Sequence, residues 1–257
     1  MRYFITLSYK GTTYHGWQIQ PDAISVQEVL NKTLSTVCRA EIEVVGAGRT
    51  DAGVHASQMV AHFDVEIPFT NAANMVHKFN SLLPDTIVIQ NIQAVKEDAH
   101  ARFDAVSRSY VYKIFLGRNP FELDTNWQLH STKMDVDQMN RACSILRNYI
   151  NFKSFSRSKT DVKTYDCSIF DAFWILKDQN LEFHISANRF LRNMVRAIVG
   201  TMIDVGTGKT SLTEFEEIIV SENRSKAGKS APSTGLYLSK VDYPEDIYLW
   251  KQEKHLI

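Results

Sequence analysis

From Ser107 to Leu116 the side chains alternate, with Tyr110, Tyr112, Ile114 and Leu116 on one side and Val111 and Phe115 on the other. A period of two over ten residues marks a strand with one buried face. The same alternation recurs at Arg2–Tyr9, at Ile87–Val95 and over 58–65, where Met59, Ala61, Phe63 and Val65 share a face. Between these stretches the period changes. Ser25 and Glu28 have capping-box spacing, and Val26, Val29, Leu30, Leu34 and Val37 follow at helical intervals. A short strand is expected over 41–45, and a helix over 74–83 that Pro84 stops. The second half resembles the first in element order. It reads as a helix over 136–149, strands over 167–176 and 181–187 joined by a turn, helices over 190–205 and 212–221, and a last strand at Leu236–Asp242. The fold class expected is α+β. Two similar halves, 1–118 and 135–257, each carry a mixed or antiparallel sheet backed by helices.

Charge narrows the function. Lys plus Arg and Asp plus Glu are both 29, so the formal net charge is zero. That excludes a wholly basic nucleic-acid coat but not a basic face with an acidic back. The cations are unevenly spread. Arg141, Arg147, Lys153, Arg157, Lys159 and Lys163 stand against only Asp161, and Arg102, Arg108, Lys113 and Arg118 against Asp104. Arg189, Arg192 and Arg196, three and four apart, would share one face of the expected helix. Phe103, Tyr110, Tyr112, Phe152 and Phe155 interleave with these clusters, a composition suited to a polyanion groove for RNA or DNA. The stretch 242–257 is acidic on balance.

Other classes recede. No stretch approaches the ~18 apolar residues of a membrane span. Cys38, Cys143 and Cys167 have no metal-ligand spacing, and Cys143 lies on an apolar stripe with Val136, Met139 and Leu146, as a core thiol would. A reducing, cytoplasmic compartment is expected, and no metal. Gly208-Lys209-Thr210 resembles the end of a phosphate loop, but Ile203 stands where that loop needs glycine. His55 and His62, seven apart, read as ordinary polar histidines.

The unusual segment is 46–56, where Gly46, Gly48 and Gly53 surround Asp51 between two expected strands. Glycine permits a positive-φ backbone close to a ligand. If the chain is extended here, Arg49 and Asp51 point the same way. Two readings stand side by side. Asp51 is a turn former in a hairpin loop, or it is a carboxylate presented for chemistry.

Gly48-Arg49-Thr50-Asp51-Ala52-Gly53-Val54-His55-Ala56 resembles the signature of bacterial tRNA pseudouridine synthases of the TruA family. The likeness runs nearly end to end. It includes Tyr9-Lys10-Gly11, Gly16-Trp17-Gln18, Asn80-Ser81-Leu82-Leu83-Pro84 and Ala101-Arg102-Phe103. It continues through Arg108-Ser109-Tyr110-Val111-Tyr112, the run from Phe190 to Gly200, and Ala231-Pro232 with Gly235-Leu236-Tyr237-Leu238. Lys10 replaces the usual Asp of the opening motif, and Asn151 an acid common before Phe152.

The resemblance implies the pseudouridine synthase fold with an active-site cleft between the halves. It implies a cofactor-free isomerase that converts uridine to pseudouridine at positions 38, 39 and 40 of the tRNA anticodon arm, working as a homodimer. Asp51 would be the catalytic carboxylate. Tyr110 would stack on the flipped uracil, Arg49 would fill the space it leaves, and Arg196 would pair with Asp51. Arg192 and Arg189 would contact phosphates. Two alternatives are a catalytically silent RNA-binding module with the same basic groove, and a nucleoside hydrolase. The intact signature opposes the first, and the second would need a sugar-binding acid cluster or calcium.

Overall fold

The computed structural model describes residues 1–130, 133–157 and 162–249. The chain divides into two compact units, Met1–Val106 with the residues from Lys240 onward, and Ser107–Ser239. The sequence suggests a break between 118 and 134; the chain contacts put it at 106/107 and 239/240, so Tyr110 belongs to the second unit. No helix among the described residues is long and apolar enough to cross a membrane.

In the first unit β1 (Arg2–Tyr9) lies between β4 (Ile87–Val95) and β3 (His55–Asp64), antiparallel to both, and β2 (Val45–Gly46) pairs with β3. The register sets Tyr3 opposite Phe63, Ile5 opposite Ala61 and Leu7 opposite Met59, all buried. Ile5 and Leu7 also face Ile92 and Ile89 of β4. Alternation thus delivers one continuous apolar face. Helix α1 (Val26–Cys38) supplies Val26, Leu30 and Leu34 to the core, and α2 (Ala72–Asn80) supplies Phe79 and packs on β4. The capping box of α1 forms: Glu28 N–H donates to Ser25 Oγ at 3.2 Å, and Ser25 N–H to Glu28 Oε2 at 3.4 Å.

The strand expected over 41–45 shrinks to Val45–Gly46. Ile42 N–H donates to Ser35 Oγ (2.9 Å) and Val44 N–H to Asn31 Oδ1 (3.0 Å), so side chains of α1 take donors that a strand would have paired. Helix α2 starts two residues earlier than the apolar spacing suggests, because Asn71 caps it, accepting from Asn74 N–H at 2.9 Å.

In the second unit β8 (Asn180–Ala187) lies between β5 (Ser107–Leu116) and β7 (Ile169–Lys177), antiparallel to both. The short β6 (Trp127–Leu129) runs parallel to the end of β5, which makes the sheet mixed. Phe183 faces Tyr112 on one side and Trp174 on the other. Helices α3 (Val136–Leu146), α4 (Met194–Gly206) and α5 (Leu212–Val220) pack together, with α3 against β7. Cys143 is the core thiol expected: its Sγ lies 3.9 Å from Met202 Sδ, and burial pushes the thiol up to about 12. Strand β9 (Leu236–Asp242) begins in this unit and ends in the first.

Helix α4 corrects one reading. It starts at Met194, because Asn193 adopts a left-handed φ of 67° and its Nδ2 donates to Ser230 Oγ at 2.7 Å. Arg189 and Arg192 therefore precede the helix, and the three arginines do not share one helix face.

Candidate active site

The loop from Ala47 to Val54 is held at its backbone. Ala47 N–H donates to the Val60 carbonyl at 2.8 Å as the chain leaves β2. Trp17 N–H donates to the Thr50 carbonyl at 3.1 Å, and the buried Thr50 hydroxyl bonds to Tyr9 Oη at 2.8 Å. Beyond Asp51 the chain turns: Val54 N–H donates to the Asp51 carbonyl at 3.1 Å, and Gly53, at φ 78°, donates to the Tyr14 carbonyl at 3.3 Å. With Thr50 drawn inward, Arg49 is exposed and Asp51 half-buried. The residues on either side of Asp51 are thus anchored to the chain after β1, not merely to each other.

Glycines make that anchoring possible, though not all those expected. A Cβ on Gly11 would run into the Val54 carbonyl, and one on Gly16, at φ 90°, into the Thr50 carbonyl. Gly46 leaves room for the Trp17 indole. Of the three glycines around Asp51, only Gly53 uses a positive φ. A Cβ on Gly48 would meet nothing within 4 Å. The sequence reading takes in Tyr9, Gly11 and Gly16 as motif residues but gives them no role at the site. Two glycines in the segment after a strand were the available signal, since each marks a close backbone approach.

Neither histidine of this region is a ligand in waiting. His55 Nδ1 accepts from Gly11 N–H and His62 Nδ1 from Ala101 N–H, each at 3.1 Å. Burial first, then the charges of His100 and Arg2, lower the His62 pKa to about 4. Its imidazole is neutral at physiological pH and serves as an acceptor.

In the second unit Tyr110 is half-buried on β5, its ring edge-on to Phe190 with centroids 5.0 Å apart. Tyr112, two residues on, is fully buried and its hydroxyl donates to the Pro232 carbonyl at 2.7 Å. Burial raises the Tyr112 phenol well above its ordinary value, against a smaller opposing effect of the Arg196 charge. Eleven of the thirteen residues of α4 are buried, so helical phase says little about where Arg196 goes. Arg196 is half-buried; its Nε donates to the Ala231 carbonyl at 2.7 Å, and Ala231 N–H returns a bond to the Arg196 carbonyl at 2.9 Å. Arg189 is half-buried, whereas Arg192 is exposed and its carbonyl accepts from Arg157 N–H at 3.0 Å.

The expected aromatic–cation groove needs trimming. Tyr112, Phe152 and Phe155 are core residues and offer no face to a base. Phe103 is 73% exposed. Some cations of the 141–163 cluster serve the fold: Arg147 lies 3.5 Å from Asp171, and Lys153 pairs with Glu222 at 3.3 Å. Lys159 and Asp161 of that cluster, and the part of the 242–257 stretch beyond Leu249, lie outside the described residues. Asn151 is locally engaged, with Oδ1 accepting from Lys153 N–H at 3.0 Å and Nδ2 donating to Glu222 at 3.3 Å. Among the described residues no group of three or more His, Cys, Asp or Glu is placed to hold a metal ion.

A family profile described as tRNA pseudouridine synthase matches residues 5–104 and 150–244. The chain is 51% identical over 248 residues to the tRNA pseudouridine synthase A of Bacteroides fragilis, covering 96% of this chain and 98% of that protein. It is 51% identical over 252 residues to the Porphyromonas gingivalis protein of the same name (96% and 99% covered). With that of Bacillus licheniformis it shares 38% over 246 residues (95% and 99%).

Proposed function

The chain belongs to the tRNA pseudouridine synthase family, an isomerase family acting on uridine in tRNA, and we propose that it works at positions 38, 39 and 40 of the anticodon arm with Asp51 as its catalytic carboxylate. The N1–C1′ bond of uridine breaks, the uracil turns, and a C5–C1′ bond forms. The hydrogen on C5 leaves as a proton and N1 gains one, so composition is unchanged and no electrons pass to an acceptor. Such a reaction asks for one well-placed carboxylate and for groups that keep the detached base in position.

What supports Asp51 in that role is the backbone clamp on both of its sides, Thr50 held by Trp17 and Tyr9, and Val54 turned back onto Asp51. A loop built this tightly fixes where its carboxylate starts from. Arg49, exposed beside it, is suited to occupy the space that a flipped nucleotide leaves, and flipping costs a few kcal/mol. Tyr110 offers a half-exposed ring for the uracil, a stack worth ~1–3 kcal/mol. Arg196 supplies the basic group that the family motif carries, its Nε already oriented by Ala231. Arg192 and Arg189 are assigned to phosphates. The enzyme is assigned to the cytoplasm as a homodimer.

The test is Asp51→Asn on unmodified tRNA carrying tritium at uridine C5. Tritium release should fall to background while tRNA affinity stays within a few fold of wild type. Turnover above background would remove Asp51 from the chemistry, and a wild type that binds without releasing tritium would favour the silent RNA-binding module.

A further inference from the structure

We propose that Phe103, with Arg102 beside it, is a stacking platform for an unpaired tRNA base other than the uracil that reacts. The proposal rests on tRNA being the substrate. Its starting observation is an exposed aromatic on a turn far more rigidly built than an ordinary surface loop.

The turn is tied from every side within the first unit. Ala99 carbonyl accepts from Arg2 Nη1 at 3.0 Å, and Arg2 is itself fixed by Asp64 through Nε (2.9 Å) and Nη2 (2.7 Å). Ala101 is fully buried; its N–H donates to His62, and its carbonyl accepts from the Tyr243 hydroxyl. His100 N–H donates to Asp104 Oδ2 at 2.7 Å, and Asp104 N–H returns to the His100 carbonyl at 3.1 Å. The backbone N–H groups of Arg102 and Phe103 both donate to His100 Nδ1, at 3.1 and 3.4 Å. A ring nitrogen that accepts must be unprotonated, and burial lowers the pKa of His100 in that direction.

The apex so fixed displays a ring that is 73% exposed. The Arg102 guanidinium carbon lies 5.6 Å from its centroid, and the His100 ring 4.3 Å. Leaving an apolar side chain of this size in water forgoes the free energy of its burial. A fold that orders the turn yet leaves the ring outside has a surface pre-organised for a partner. The chemistry beside the ring selects that partner. Phe121 is more exposed, at 94%, but is followed by Glu122 and Asp124, the wrong sign for a polyanion. At Phe103 the neighbour is cationic, and Asp104 is bonded to the His100 backbone. Aromatic face plus guanidinium is the pairing that holds bases and phosphates of single-stranded nucleic acid.

The experiment compares Phe103→Ala, Phe103→Trp, Phe103→Leu and Arg102→Met in the full chain against an unmodified tRNA transcript. The affinity is read by anisotropy at several salt concentrations and steady-state turnover by tritium release. Loss of a ~1–3 kcal/mol stack predicts that Phe103→Ala raises Kd and KM about 5- to 150-fold, by more than kcat falls, with an unchanged salt slope. Phe103→Trp should restore binding and Phe103→Leu should not. Arg102→Met should flatten the log–log salt slope by about 0.7–0.9. Kd and KM within twofold of wild type in Phe103→Ala would overturn the platform, as would full rescue by leucine or a lowered melting temperature that accounts for the loss. Because Kd is read without turnover, a failure of the Asp51 assignment leaves this result intact.

Discussion

Tyr9 and Thr50, forty-one residues apart, share a 2.8 Å hydrogen bond between buried hydroxyls. It joins the end of β1 to the residue before the proposed catalytic carboxylate. Tyr9→Phe and Thr50→Val should each cost about 1–3 kcal/mol, the range for removing one partner of a buried hydrogen bond. The double variant should cost less than the two single costs together, since neither hydroxyl then lacks the other. Urea denaturation of the four proteins checks this, and additive costs would mean that the bond contributes no coupling.

The glycines should separate sharply under alanine. Gly16→Ala meets both a left-handed φ and the Thr50 carbonyl, so a loss of at least ~1–3 kcal/mol is expected, with turnover falling as the loop shifts. Gly48→Ala meets nothing and should stay within about 0.5 kcal/mol of wild type. Equal melting temperatures for the two variants would contradict the clamp.

Tyr110 and Tyr112 should fail differently. Tyr112→Ala opens a cavity in a fully buried site and breaks the bond to Pro232, so a destabilisation of about 3–5 kcal/mol is expected, with activity lost through unfolding. Tyr110→Ala should keep most of the stability and lose turnover. Matching stability losses would make Tyr110 a core residue.

His62 makes stability depend on acid. Its folded-state pKa of about 4 lies below its ordinary value near 6.5, so the unfolded chain takes the proton first. Stability from this group is complete above pH ~6.5 and is lost as pH falls towards about 4. At ~1.36 kcal/mol per unit the full loss is about 3 kcal/mol. Asp64 and Asp104 face the imidazole and oppose the shift, while His100 and Arg2 reinforce it. Urea midpoints from pH 7.5 to 4 should fall less steeply in His62→Gln, whose amide oxygen can still accept from Ala101.

Legibility in the sequence followed the range of the interaction. β1, β4, β5 and β9 begin and end where the alternation does, because pleat and burial together leave only one register. The capping box of α1 is local and was equally plain. What could not be read locally was decided by partners in other elements. Ser35 and Asn31 of α1 claim the donors of 42 and 44, and Ser230, thirty-seven residues on, holds Asn193 where α4 begins. The signature around Asp51 was legible, but the meaning of Gly11 and Gly16 lay in the carbonyls of Val54 and Thr50, some forty residues away. Aromatic spacing misled in a different manner, since Phe152 and Phe155 look like Phe103 until burial is known.

The route of β9 has a consequence during synthesis. The first unit is closed by late residues: Val106 N–H donates to the Asp242 carbonyl, Lys96 N–H to that of Ile247, and the Tyr243 hydroxyl to that of Ala101. On a ribosome adding ~5–20 residues per second, the first unit to begin emerging is therefore the last to be completed. The scaffold behind Asp51 and Phe103 waits, incompletely zipped, until the whole of the Ser107–Ser239 unit has been made. A nascent chain stalled before residue 240 would hold the signature loop without the strand end that finishes its own unit.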